Sequence, residues 1–131
     1  MNIGLIAHDS KKSLIQNFCI AYKRILSKHT LYATGDTGRF IEDVTNMSIH
    51  KFLPGQLGGE RQMATQIECN QMDAVIFLRD PSKSKEADID YDHINRLCDL
   101  NNIPVATNIA TAEILILAID RGDLSWRDLY K

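Results

Sequence analysis

Cysteine is scarce in this chain. Cys19, Cys69 and Cys98 are odd in number and widely spaced, so they form no C-x-x-C and no disulfide framework. Each falls in a predicted helix, which predicts buried, reduced thiols. His8, His29, His50 and His93 show no paired metal-ligand spacing, and no metal site is expected. No apolar run reaches membrane-spanning length, and the chain opens on a predicted strand instead of a signal peptide. A cytoplasmic protein without a membrane partner is expected. Basic runs are missing too: net charge is −2, and Lys83 and Lys85 are offset by Glu86, Asp88 and Asp90. Nucleic acid is therefore not an expected partner. G-x-x-x-x-G-K-[ST], G-x-G-x-x-G and G-x-S-x-G are all absent, which removes nucleotide-triphosphate, dinucleotide and serine-elbow fingerprints. A cofactor-free acid–base site with phosphate binding is what remains.

What is present fits one domain over residues 1–131, long enough to bury a core. Short apolar runs alternate with helical spacing. Strands are predicted at Ile3–Ala7, Thr30–Thr34, Ile49–Leu53, Asp73–Arg79 and Pro104–Asn108. Helices are predicted at Lys11–Ser27, capped by Asp9 or Ser10, then at Arg39–Val44, Arg61–Asn70, Asp90–Leu100 and Thr111–Asp120. A polar loop is expected up to Ile89, and a last helical turn at Ser125–Tyr130 with Trp126 as a packing anchor. Strand–helix repeats with connections too long for hairpins predict an α/β fold: one doubly wound, mainly parallel five-stranded sheet with helices on both faces.

Ligands of such sheets bind beyond the carboxyl ends of the strands, and the unusual polar residues gather there. His8 and Asp9 follow the first strand, Thr34-Gly-Asp-Thr-Gly38 the second, and Gly55 to Glu60 the third. Asp80 follows the fourth, and Thr107 and Asn108 close the fifth. Lys12 lies one helical turn beyond His8 and can aim at the same crevice. The stretch Phe52-Leu-Pro-Gly-Gln-Leu-Gly-Gly-Glu-Arg-Gln62 is central. Its glycines permit close backbone approach, a helix N-terminus suits a phosphate, and Glu60 is a carboxylate placed to take a proton. Each residue also has a plain structural reading. Glu60 can be a first-turn helix carboxylate, His8 and Asp80 can be caps, Lys12 can be solvated surface, and Thr34–Gly38 can be a turn.

Six blocks carry a resemblance. Ala7-His-Asp9, Leu31-Tyr-Ala-Thr-Gly35 with Thr37-Gly38, Pro54-Gly-Gln-Leu-Gly-Gly59, Phe77-Leu-Arg-Asp-Pro81, Ile103-Pro-Val-Ala-Thr-Asn108 and Ala110-Thr-Ala112 resemble the methylglyoxal synthase family, colinearly over residues 2–131. The resemblance implies a lyase that converts dihydroxyacetone phosphate to methylglyoxal and inorganic phosphate through an enediolate. It implies no metal or organic cofactor, a cytoplasmic homohexamer, and phosphate as substrate group and modulator. It places the proton-abstracting carboxylate on Glu60, with His8 and the carboxylates Asp9, Asp80 and Asp90 in catalytic or supporting positions. Substrate and phosphate contacts fall on His8, Lys12, Thr34, Gly35, Asp36, Thr37, Pro54 and Gly55.

Five positions depart from the family pattern. Glu60 stands for an aspartate, Arg61 for a glutamine, Pro54 for a serine, Asp36 for a threonine, and Ala87 for a histidine. Arg61 is placed to stand in for the phosphate-binding hydroxyls that Pro54 and Asp36 do not supply, and His93, one turn beyond Asp90, is a candidate for the missing histidine. These changes keep a second reading open: a non-catalytic module of the same fold that senses a phosphorylated ligand.

Overall fold

Apolar segments too short for helices are buried on both faces as strands, and the longer amphipathic segments between them cover the sheet. The computed structural model describes residues 1–82 and 85–131, without the side chains at positions 56 and 85–89. The first half contains β1 (Asn2–Ala7), α1 (Lys12–Ala21), α2 (Lys23–Leu26), β2 (Thr30–Ala33), α3 (Gly35–Thr45) and β3 (His50–Lys51). The second half contains α4 (Gly59–Glu68), β4 (Ala74–Leu78), α5 (Lys85–Leu100), β5 (Val105–Ala106) and α6 (Ile109–Arg121). Turns of 3-10 helix lie at Asp9–Lys11, Gly55–Leu57 and Ser125–Tyr130.

The strand order is β3-β2-β1-β4-β5, and every pairing is parallel. The expected doubly wound sheet is the observed one. The chain winds outward from β1 to β3, then returns to lay β4 on the other side of β1, so the direction reverses between β1 and β4. Alternate strand residues feed two cores. Ile3, Leu5 and Ala7 of β1 pack with Ile15 and Phe18 of α1, Ile41 of α3 and Ile116 of α6. Ile6, Val75 and Phe77 face Met63 and Ile67 of α4 and Ile94 and Leu97 of α5. Gly4 lies on this second face, where a Cβ would come within 2.8 Å of Met63 Sδ and push that flexible side chain aside.

Several expected boundaries are corrected. The first helix is broken at Tyr22 (φ −109°, ψ 21°), and Asp9 and Ser10 form a 3-10 turn instead of capping it. Thr34–Gly38 is not a free turn: α3 begins at Gly35. Likewise α4 begins at Gly59, which puts Glu60 inside its first turn. The third strand is only His50–Lys51. Helix α5 begins at Lys85, where a loop to Ile89 is expected. Cys19 and Cys98 are buried, but Cys69 is exposed. Trp126 is 45% exposed, so it is a partial anchor at most.

At the amino ends of the strands the last turn is tied down through Arg127, which is almost fully buried. Its guanidinium donates to Asp73 Oδ1 (3.3 Å), Asn102 O (2.8 Å), Asn70 Oδ1 (2.6 Å) and Met72 O (3.1 Å). Among the described residues, no helix is long and apolar enough to cross a membrane.

Candidate active site

The carboxyl ends of β1, β2 and β4 open onto one rim of the sheet, and the segment 52–55 crosses it. Two helices start against that segment. Gly35 N–H donates to Leu53 O (3.0 Å), and Gly59 N–H donates to Pro54 O (3.1 Å). Only glycine fits at both starts: a Cβ on Gly35 would lie 2.7 Å from Phe52 O, and one on Gly59 would lie 1.8 Å from Leu53 O. Gly58, at φ +104°, turns the chain into α4. Two helix N-termini are thereby held side by side.

Lys12 comes from the first turn of α1 and runs inward, almost fully buried. Its ammonium donates to Ala7 O at the end of β1 and to Thr37 Oγ1 (2.7 Å), and it pairs with Asp36 Oδ2 at 3.2 Å. Thr34 Oγ1 donates onward to Thr37 Oγ1 (3.1 Å). The other Asp36 oxygen accepts the Gly55 N–H at 3.4 Å. Burial alone would raise the Asp36 carboxyl, but the Lys12 ammonium and the N–H groups of Gly55 and Thr37 outweigh it and hold it below the ordinary carboxylate range.

Glu60 faces the same space from the first turn of α4. A Cβ on Gly55 would lie 3.7 Å from Glu60 Oε1, an ordinary contact distance, which places the carboxyl directly against Gly55. Burial, then a hydrogen bond and charge repulsion from Asp90 on α5, push the Glu60 carboxyl up to about 7. Lys12 pulls it down and Asp36 pushes it further up, which places both within electrostatic reach. Arg61 is exposed, and with Asp90, Gly55, Leu57 and Gly58 it lines an adjoining hollow of about 380 Å³. His93 shares a second hollow with Arg61 and Asp90.

His8 stands at the switch point between β1 and β4. Its Nδ1 accepts the Asp80 N–H at 2.9 Å, and its ring packs edge-on against Phe77. An accepting Nδ1 leaves the proton of a neutral ring on Nε2. The Asp80 carboxylate itself points elsewhere. It accepts from Ser10 Oγ (2.7 Å) and from Ser82 Oγ (2.6 Å) and N–H (2.9 Å), and these bonds depress its pKa strongly.

Lys12, Thr34, Gly35, Asp36, Thr37, Pro54, Gly55, Glu60 and Asp90 thus converge, and Arg61 flanks them. Asp80 reaches His8 through its peptide group, whereas Asp9 is exposed in the 3-10 turn. Ala87 lies outside the described side chains. Sequence reasoning missed Gln62, whose Oε1 accepts the Leu53 N–H at 2.8 Å and steadies the crossing segment. A polar side chain in the first turns of a helix after a glycine loop is the available signal, since such residues reach back to preceding N–H groups.

A family model described as MGS-like domain matches residues 15–107. The chain is 61% identical over 129 residues to the methylglyoxal synthase of Caldicellulosiruptor saccharolyticus, covering 98% of this chain and 92% of that one. The chain belongs to the methylglyoxal synthase family. It is also 53% identical over 131 residues to the methylglyoxal synthase of Alkaliphilus metalliredigens, covering 100% of this chain and 98% of that one. Among solved structures, the crystal structure of methylglyoxal synthase from Elizabethkingia anophelis superposes with a TM-score of 0.78 at 34% identity. It covers 88% of this chain and 76% of that one.

Proposed function

We propose that this protein is a carbon–oxygen lyase that converts dihydroxyacetone phosphate to methylglyoxal and inorganic phosphate. The observation that carries the chemistry is the Glu60 carboxyl, raised to about 7 and facing the space beside Gly55 and Lys12. A base with that pKa is deprotonated in useful amount near neutrality and still takes a proton readily. Glu60 removes a proton from the hydroxymethyl carbon, and the electron pair moves toward the neighbouring carbonyl oxygen as an enediolate. The imidazole of His8, with its proton on Nε2, donates a hydrogen bond to that oxygen as charge develops. Collapse of the enediolate breaks the carbon–oxygen bond to phosphate, and the released enol tautomerises to methylglyoxal.

Lys12, the Thr34 and Thr37 hydroxyls, and the N–H groups near Gly35, Asp36 and Gly55 grip the phosphate end, with Pro54 shaping the crossing segment and Arg61 flanking it. Asp90 acts on Glu60 by raising its pKa. Asp80 orients His8 through its peptide N–H, and Asp9 supports the turn after β1. Relatives named as synthases over nearly the full chain favour this reading over a sensing module. One domain over residues 1–131, a cytoplasmic location and a homohexamer belong to the same proposal. The exposed apolar Ile114 and Leu117 on α6 supply surface for subunit contact.

The test is direct. Purified protein incubated with dihydroxyacetone phosphate should release methylglyoxal and phosphate in equal amounts. A folded oligomer giving no product above background defeats the proposal.

A further inference from the structure

An ammonium group has three protons to donate. In Lys12 all three directions are engaged: the main-chain oxygen of Ala7, the buried Thr37 hydroxyl, and the Asp36 carboxylate at 3.2 Å. Ala7 ends the central strand β1 and Thr37 is wholly buried, so neither can leave. The Asp36 side chain is 34% exposed, and its other oxygen takes the Gly55 N–H. A carboxylate held by one ammonium and one peptide N–H at the start of a helix has the contacts that a phosphoryl oxygen would seek. It also sits within electrostatic reach of Glu60.

We propose that Asp36 is a built-in occupant of the phosphate subsite, a specificity-determining side chain that a phosphorylated ligand must displace from Lys12 and Gly55 before it is held. The exposed flank of Asp36 gives the carboxylate somewhere to go. Binding is therefore a ligand exchange on Lys12, and affinity for a bare phosphate ion is set by competition with a tethered anion. The phosphate-binding half of the proposed function underlies this assignment; turnover does not.

The measurement is calorimetric titration of the full chain with inorganic phosphate. Asp36→Asn keeps the shape and removes the competing charge, and Asp36→Ser keeps a small hydroxyl. Either variant should bind phosphate about tenfold tighter or better than the unmodified chain. Phosphate should also raise the melting temperature of the variants more than that of the parent. Equal or weaker affinity in a variant that still melts cooperatively overturns the assignment. In the unmodified chain, the carboxyl ¹³C resonance of Asp36 should move on saturation with phosphate, and an unmoved resonance overturns it as well. Turnover of dihydroxyacetone phosphate by the parent separates the two claims. Turnover without tighter phosphate binding in the variants removes only the role given to Asp36. Tighter binding without turnover supports that role and removes the lyase.

Discussion

A carboxylate beside glycines and a lysine one turn past a histidine were both visible in the one-dimensional chain. The pKa of that carboxylate was not. It depends on Asp90, thirty positions downstream on another helix, and on how deeply α4 sits, which spacing does not encode. Two results follow for Glu60. Activity should climb with pH through an apparent pKa near 7, and Glu60→Gln should lower kcat by about 10²–10⁴-fold. Stability should show the opposite slope. The folded carboxyl titrates above its ordinary 4.5, so the folded state holds the extra proton between the two values and loses that advantage as pH rises through about 7. Glu60→Gln should therefore gain stability over the parent at pH 8 and gain little at pH 5, with a difference of about 1–2 kcal/mol after solvent screening. Thermal melts at the two pH values check it. His8 supplies a second case. Its Nδ1 accepts a peptide N–H from Asp80, so Asp80→Ala should keep the ring's tautomer while removing the Ser10 and Ser82 bonds. A rate loss far smaller than that of Glu60→Gln is expected.

At the scale of elements, strand and helix order could be read from apolar periodicity, but the starts of α3 and α4 could not. Thr34-Gly-Asp-Thr-Gly38 and Gly58-Gly59 are rich in residues that weaken helices, and they read as turns. Tertiary contact decides otherwise. Each helix opens where its backbone touches the 52–54 segment, and only a residue without Cβ allows that approach. Short β3 has the same origin, since the chain leaves the sheet at Phe52 to make this crossing. Gly59→Ala puts a carbon 1.8 Å from Leu53 O, a main-chain atom that cannot step aside alone. It should cost more than about 3 kcal/mol in urea unfolding and lower phosphate affinity with it.

Over the whole molecule, the parallel sheet separates two jobs. The rim at the carboxyl ends carries the proposed chemistry, and the opposite rim carries the closure. There Asp73, fully buried, accepts from Asn2 N–H (2.8 Å) and pairs with Arg127 (3.3 Å) and Lys131 (2.5 Å). Burial raises the Asp73 carboxyl, yet Lys131, the Asn2 N–H and Arg127 outweigh it and hold it low. Its contribution is present above the ordinary 3.8 and fades as pH falls through the lower folded value. Arg127→Ala leaves Asp73 with Lys131 and the Asn2 N–H but removes the guanidinium bonds to Asn70, Met72 and Asn102, and it should cost about 1–3 kcal/mol, read as a lower urea midpoint. The pattern Trp126-Arg127-Asp128 carries no sign of this, because the partners of Arg127 come from two distant stretches, 70–73 and 101–102. The final residues thus lie a full strand length from the reacting pole, roughly 17 Å away. A fluorophore carried by exposed Tyr130 would therefore register global unfolding while staying silent to events among Lys12, Asp36 and Glu60.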